Sequence, residues 1–191
     1  MTKTGLFGGS FNPIHIGHIH LARQLLRAAR LDEVWFLVSP QNPLKQDMRL
    51  APEQQRLEMA QIALRRYKRL EASDFEFHLP RPSYTWTTLQ ALSSQYPDRE
   101  FTLLIGGDNW ERFPQWYRHD DILAAYHIAV YPRVDAPIDP ATLPPNVMLM
   151  QAETVDVSST QIRERLRHRQ SVAGLVPPAV ERYLIREKMY L

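Results

Sequence analysis

Two histidines three residues apart follow a glycine-rich turn near the start of the chain. The stretch Gly8-Gly-Ser-Phe-Asn-Pro-Ile-His-Ile-Gly-His18 begins with two glycines, which let the backbone come close to phosphate oxygens. A helix that starts here would offer an anion its free N–H groups and the positive end of its dipole. His15 and His18 would then reach the same side and donate hydrogen bonds to an α-phosphate. The alternative is that one histidine packs or caps while the other is solvated.

A second polar motif, Val157-Ser-Ser-Thr-Gln-Ile-Arg163, lies towards the C-terminal end. Ser158 or Ser159 can cap the next helix, whose first N–H groups would meet the oxygens of an anion. Arg163 is one turn further on and can hold a phosphate through charge-assisted hydrogen bonds. For this segment alone, a plain helix cap followed by a surface arginine is the alternative.

The hydrophobic pattern predicts a scaffold in which strands alternate with helices. The predicted strands are 4–7, 34–38, 74–78, 101–105, 127–131 and 147–150, and the predicted helices are about 17–30, 52–67, 83–95, 159–169 and 178–188. This alternation is typical of an α/β fold with a doubly wound, mainly parallel sheet, in which ligands bind at the carboxyl ends of the strands. Five prolines between Pro132 and Pro145 predict a surface loop.

Composition indicates one globular domain. The 191 residues suffice to bury a core, and 44% of them are hydrophobic, so we expect a single domain over 1–191 with a helical C-terminal part at about 159–191. The absence of cysteine excludes a disulfide framework, a thiolate metal site and a cysteine nucleophile. We expect a cytoplasmic protein with no membrane partner, because neither a signal-peptide pattern nor a run of about 18 apolar residues occurs. A formal charge of +2 without a concentrated basic stripe predicts no nucleic-acid partner.

The two polar motifs resemble those of the α/β nucleotidyltransferase superfamily. His15-Ile-Gly-His18 after a glycine loop is similar to the superfamily's His-x-Gly-His motif, which class I aminoacyl-tRNA synthetases share, and 157–163 resembles the Ser-Ser-Thr-x-Ile-Arg signature of adenylyltransferases. The resemblance implies a Rossmann-like fold and catalytic roles for His15, His18 and Arg163. The ATP-binding residues that it implies are Gly8, Gly9, Ser10, Phe11, Gly106, Asp108, Ser158, Ser159, Thr160 and Arg163.

Segments between the two motifs are similar to bacterial nicotinate mononucleotide adenylyltransferases. They are Asn42-Pro-Leu-Lys45, Pro82-Ser-Tyr-Thr85, Ile105-Gly-Gly-Asp108 and Trp116-Tyr117. The resemblance implies that Lys45 meets the mononucleotide phosphate, that Asp108 holds the ATP ribose, and that Trp116 and Tyr117 form the nicotinate pocket. It also implies mononucleotide contacts from Thr85 and Arg133. Taken one at a time, Lys45 would be a surface charge, Asp108 a strand-end cap and Trp116 a core filler.

Some residues depart from the family pattern. Asn12 stands where the family often has aspartate, a mild change because either side chain can organise the turn. Thr87 replaces an aspartate and Leu44 a frequent histidine, and both changes concern the mononucleotide site. Arg133 follows Pro132, where the family has Arg-Pro-Gly.

The implied reaction moves AMP from ATP onto nicotinate mononucleotide and releases pyrophosphate, with Mg²⁺ accompanying ATP. Because no dedicated carboxylate cage is evident, we expect no protein metal site, the ion being held by substrate oxygens and water. The alternatives are another small-molecule transferase, such as a pantetheine-phosphate adenylyltransferase or a cytidylyltransferase, a non-catalytic nucleotide sensor, and an RNA-binding relative of the synthetases. The sequence does not determine the oligomeric state.

Overall fold

A computed structural model describes residues 1–40, 50–132, 138–153 and 155–191. Its strands are β1 (Thr2–Gly9), β2 (Glu33–Val38), β3 (Leu70–Ser73), β4 (Arg99–Gly106), β5 (His127–Tyr131) and β6 (Val147–Leu149). Its helices are α1 (Ile16–Ala28), α2 (Glu53–Leu64), α3 (Thr85–Gln95), α4 (Gly107–Glu111), α5 (His119–Ala125), α6 (Ser159–Arg167) and α7 (Pro178–Arg186).

In the described part of the chain, six strands form one sheet in the order β3-β2-β1-β4-β5-β6, and all neighbouring pairs are parallel. The chain moves outwards from β1 to β2 and β3, and then returns to the other side of β1 with β4. The order therefore reverses between β1 and β4, where the loops at the carboxyl ends of these strands leave a crevice. This topology confirms the prediction of a doubly wound α/β fold.

Two apolar layers cover the sheet, one on each face, so the central strands are buried on both sides. Along β2, Val34, Phe36 and Val38 belong to the layer that α1, α2, α6 and α7 contribute to, while Trp35 and Leu37 belong to the layer under α3 and α5. Successive strand residues point to opposite faces, so a nearly continuous apolar run is what a doubly covered strand requires.

The region after β2 differs from the prediction. The expected strand at 74–78 is wrong: β3 ends at Ser73, and Phe75–His78 forms a 3₁₀ turn. The Ser73 hydroxyl accepts the N–H of Phe75 at 3.2 Å, and the Phe77 N–H bonds the Asp74 carbonyl at 2.8 Å, so local bonds turn the chain away from the sheet. The alternation of polar and apolar residues there reflects a half-buried turn. The short helices α4 and α5 were not predicted.

Among the described residues, none of the helices has both the length and the apolar composition needed to cross a membrane. The assignment of the whole chain to one domain stays a prediction.

Candidate active site

The glycine loop at the end of β1 lines an open cavity at the carboxyl edge of the sheet. Gly8, Gly9 and Ser10 form one wall of this cavity, whose volume is about 200 Å³. A Cβ atom added to Gly8 would meet nothing within 4 Å, so a side chain at this position would occupy space in front of the loop. The next residue after Ser10, Phe11, is buried and has a φ of 44°. The loop therefore leaves room for a ligand to approach its backbone, as predicted.

The predicted histidine pair is confirmed as a structural unit. The rings of His15 and His18 are stacked, with centroids 3.6 Å apart and an angle of 23° between their planes. His15 is the N-cap of α1, and its backbone N–H donates to Nδ1 of His18 at 3.2 Å. Since Nδ1 accepts this bond, a neutral His18 carries its proton on Nε2. The two rings thus reach the same side of the helix start.

The C-terminal motif packs directly against the residues that precede this pair. The Ser159 hydroxyl donates to the Pro13 carbonyl at 2.9 Å, and Nη1 of Arg163 donates to the Asn12 carbonyl at 2.8 Å. An added Cβ at Gly17 would lie 2.9 Å from Cγ1 of Val157, so only glycine allows this close approach. Two motifs about 150 residues apart in sequence consequently form one surface.

Within the C-terminal motif, the two serines have different roles. The Ser158 hydroxyl accepts the N–H of Gln161 at 3.1 Å and is the N-cap of α6. Ser159 is engaged with the N-terminal loop instead. Thr160 accepts from Nη2 of Arg163 at 3.1 Å, which fixes the guanidinium between α6 and the loop that contains Asn12.

The cavity extends from the glycine loop to the predicted base-binding residues. Thr85 is the first residue of α3 and lines the cavity together with Trp116 and Tyr117. The Trp116 ring packs on Phe113 with centroids 5.4 Å apart, and Tyr117 is 53% exposed. Trp116 and Tyr117 form an aromatic wall of this cavity, which the glycine loop also lines.

The exposed Tyr117 ring lies 5.0 Å from the ring of Tyr84, so the two aromatic rings stand together beside the cavity. Gly106 and Asp108 lie at the end of β4 and the start of α4, outside the lining of the cavity. Lys45, Leu44 and Arg133 lie outside the described residues, so their predicted contacts stay predictions.

Glu76 is a site residue that the sequence analysis missed. Its half-buried carboxylate lines the cavity and accepts hydrogen bonds from Thr88 at 3.0 Å and Ser83 at 3.4 Å. Burial raises the pKa of Glu76, and hydrogen bonds from the hydroxyls of Ser39, Thr88 and Ser83 act in the opposite direction. The signal in the sequence was an acidic residue between two phenylalanines, six positions before Pro82.

Arg56 is a second missed residue, and it joins two loops of the site. Its side chain is 1% exposed and donates to four backbone carbonyls. The acceptors and distances are Ser10 at 2.6 Å, Ser39 at 2.7 Å, Pro40 at 2.9 Å and Ala51 at 2.9 Å. Burial lowers the pKa of Arg56, although Tyr190 and Glu53 oppose this shift. The arginine therefore holds the glycine loop against the end of β2.

Comparison with known proteins shows which family of proteins this chain belongs to. Residues 6–165 match the model of the cytidylyltransferase-like family, and the chain belongs to that family. A Bacteroides fragilis protein named "Probable nicotinate-nucleotide adenylyltransferase" is 48% identical over 97% of this chain and 92% of its own length. A Cytophaga hutchinsonii protein of the same name is 42% identical over 98% of each chain. Within its class, the chain is thus a member of the nicotinate-nucleotide adenylyltransferase family, which confirms the resemblance noted in the sequence.

A solved structure confirms the fold. The nicotinic acid mononucleotide adenylyltransferase of Plasmodium falciparum, complexed with NaAD, superimposes with a TM-score of 0.84 at 19% identity. The superposition covers 100% of this chain and 98% of the other.

Proposed function

We propose that this chain transfers AMP from ATP to nicotinate mononucleotide, which yields nicotinate adenine dinucleotide and pyrophosphate. Family membership supports this reaction. The observation that carries it is the contact between the two polar motifs, in which Arg163 and Ser159 bond the segment just before His15 and His18. A nucleotide at the crevice would meet the glycine loop, both imidazoles and the start of α6 together.

A phosphate oxygen of the mononucleotide attacks the α-phosphorus of ATP in line. The new P–O bond forms as the bond from the α-phosphorus to the bridging oxygen breaks, and pyrophosphate leaves with that electron pair. Because no covalent enzyme intermediate is required, the protein contributes orientation and charge stabilisation. His15 and His18 stabilise the α-phosphate, and a neutral His18 carries its proton on Nε2 because its Nδ1 accepts the N–H of His15.

The remaining triphosphate contacts come from both ends of the chain. Gly8, Gly9, Ser10 and Phe11 cradle the phosphates through the loop at the end of β1, and α6 presents its first turn to the leaving pyrophosphate. The α6 contribution comes from Ser158, Ser159, Thr160 and Arg163. Gly106 and Asp108 hold the ribose from the end of β4.

The mononucleotide occupies the cavity between the glycine loop and the aromatic wall. Its base stacks on Trp116, and Thr85 and Tyr117 supply polar contacts through their backbone. Lys45 and Arg133, which are outside the described residues, bind the mononucleotide phosphate and complete this site.

Mg²⁺ enters as part of the Mg–ATP substrate and neutralises triphosphate charge. Among residues 1–40, 50–132, 138–153 and 155–191, no group of three or more histidine, aspartate or glutamate side chains is placed to hold a metal. Mg²⁺ keeps several waters and binds readily to phosphate oxygens, so a protein cage is not needed.

The proposed reaction is tested with purified protein and a substrate panel. ATP is paired with nicotinate mononucleotide, nicotinamide mononucleotide or phosphopantetheine, CTP replaces ATP in a parallel series, and pyrophosphate release is measured. We expect release chiefly with ATP and nicotinate mononucleotide. Faster turnover with phosphopantetheine or CTP would identify another transferase, and binding of ATP without turnover on any acceptor would identify a nucleotide sensor.

A further inference from the structure

The penultimate residue of the chain reaches the loop that precedes the histidine pair. The Tyr190 hydroxyl donates to Oδ1 of Asn12 at 2.7 Å, across 178 positions of sequence. After α7 ends, the N–H groups of Lys188 and Met189 bond carbonyls of the helix at 3.2 and 3.0 Å, and the Met189 side chain is buried. This compact turn directs the half-buried Tyr190 ring towards Asn12.

Asn12 joins three segments of the protein at the centre of the site. Its side chain is 1% exposed, and Oδ1 also accepts the N–H of Ala51 at 3.1 Å. Its carbonyl accepts Nη1 of Arg163 at 2.8 Å. Because the Ala51 N–H can only donate, the oxygen of the Asn12 amide must face Ala51 and Tyr190. Asn12 is thereby tied to the start of α2, to α6 and to the end of the chain.

The surroundings of Tyr190 keep its hydroxyl in the donating form. Burial raises the pKa of Tyr190, while the positive charges of Arg163 and Arg56 lower it. The net direction is upward, so the phenol stays protonated at neutral pH and continues to donate to Asn12.

We propose that Tyr190 is a positioning residue for adenylyl transfer, acting through Asn12 on the glycine loop, the histidine pair and Arg163. This inference rests on the site roles given under the proposed function. Tyr190 itself does not contact the reacting atoms. It restrains the peptide between Phe11 and Pro13, and a loop displaced by about 1 Å costs up to about 10²-fold in rate when orientation carries the catalysis.

The chain offers a matched control in Tyr183. This residue lies in α7, is 4% exposed, and its hydroxyl donates to Glu58 of α2 at 2.6 Å. Tyr183→Phe and Tyr190→Phe therefore each remove one hydroxyl and one hydrogen bond. Their difference in activity isolates the effect on the site.

We expect Tyr190→Phe to lower kcat about tenfold and to change the KM for the mononucleotide by less than about twofold. Tyr183→Phe should keep kcat within about twofold of the natural chain, although its Tm should fall about as much as that of Tyr190→Phe. Rates are expressed per folded enzyme, from the near-ultraviolet circular dichroism of each variant. Equal kcat values for the two variants would overturn the inference.

A double-mutant cycle tests the route through Asn12. In an Asn12→Ala background, Tyr190→Phe should cause no further loss of kcat, whereas additive losses would show that Tyr190 acts by another path.

The Arg163→Ala variant distinguishes failure of the Tyr190 inference from failure of the proposed active site. An active Arg163→Ala would contradict the role of Arg163, while an inactive Arg163→Ala beside a fully active Tyr190→Phe would overturn only the role of Tyr190.

Discussion

The Nδ1 atom of His18 accepts the N–H of His15, and this bond determines which ring nitrogen of a neutral His18 carries the proton. With Nδ1 engaged, Nε2 is the donor of the neutral ring. The rings of Phe7 and Phe11 flank His18 at centroid distances of 6.3 and 5.1 Å and limit its rotation. The His18 ring is therefore held by contacts with its neighbours in the protein.

Replacing His18 by alanine removes this donor. We expect kcat to fall by about 10²-fold or more, with little change in ATP affinity, because the donor engages charge that develops in the transition state. Turnover and equilibrium ATP binding are measured on the same preparation. His20→Ala, an exposed histidine on the same helix, is the control. Near-normal turnover in a folded His18→Ala protein would contradict the role.

Glu76 makes the stability of the fold depend on pH. Its pKa in the folded state is raised, so the native protein binds this proton more tightly than the unfolded chain does. The free energy of unfolding should consequently fall as pH rises from the ordinary glutamate value, about 4.3, through the raised value, with a slope of at most about 1.4 kcal/mol per pH unit.

Glu76→Gln lacks this dependence and should gain stability relative to the natural chain as pH rises. Urea unfolding at about pH 5 and pH 8 measures the difference. Glu71→Gln, which alters an exposed carboxylate of β3, serves as the control. A constant difference between Glu76→Gln and the natural chain at both pH values would show that Glu76 has no raised pKa.

At the scale of elements, the N-terminus of α3 lines the cavity that we propose binds the nicotinate base. Tyr84 is the N-cap of α3 and makes no side-chain capping bond. The first backbone N–H of the helix that bonds a carbonyl of the preceding turn is that of Thr88, which donates to Tyr84. The N–H groups of Thr85, Trp86 and Thr87 come before it and have no acceptor within the helix. Free N–H groups and a positive dipole end suit an anionic carboxylate. The cis form of the Arg81–Pro82 peptide lies in the turn that leads to this helix.

We therefore expect nicotinate mononucleotide to be preferred over nicotinamide mononucleotide by at least about tenfold in kcat/KM, or roughly 1.4 kcal/mol. The two rings have nearly the same shape, but an amide would turn its N–H₂ towards donors and leave a buried group unpaired at about 1–3 kcal/mol. The kcat/KM for each mononucleotide is measured at saturating Mg–ATP. Equal values would reject this pocket assignment without affecting the adenylyl-transfer mechanism.

At the scale of the whole molecule, segments from both ends of the chain meet at the part of the site that we propose binds ATP. Ser159 and Arg163 bond the carbonyls of Pro13 and Asn12, and Tyr190 bonds the Asn12 side chain. The cavity that we propose for the mononucleotide is lined from the middle of the chain by Glu76 and by residues within 83–89 and 115–117. The two substrates are thus expected to order different parts of the protein.

Hydrogen exchange should reveal this division. Mg–ATP alone should slow exchange in 8–18 and 157–163 together, because these segments form one surface, whereas nicotinate mononucleotide alone should slow exchange in 83–89 and 115–117. Peptide-level mass spectrometry with each ligand measures both effects, and 178–186 in α7 is the internal reference. Protection of 8–18 by ATP without protection of 157–163 would contradict the shared triphosphate site.

Local patterns in the sequence determined the strands β1, β2, β4, β5 and β6, the glycine loop, the pairing of His15 with His18 and a helix cap at Ser158 or Ser159. These features depend on neighbours within a few residues, so periodicity and turn chemistry suffice to predict them. The strand predicted at 74–78 was wrong because local hydrogen bonds from Ser73 and Asp74 turn the chain there.

Only the tertiary structure decided the partners of Arg56, Glu76 and Tyr190. Arg56 donates to carbonyls on both sides of the β2–α2 connection, those of Ser39 and Ala51. Glu76 accepts hydrogen bonds from Ser83 in the turn before α3 and from Thr88 in α3 itself. Tyr190 donates to Asn12 across nearly the whole chain. Each of these side chains would be an ordinary surface residue by type and local pattern. Their roles arise because packing of the helices on the sheet buries them beside polar groups that are distant in sequence, and a buried polar group requires such a partner.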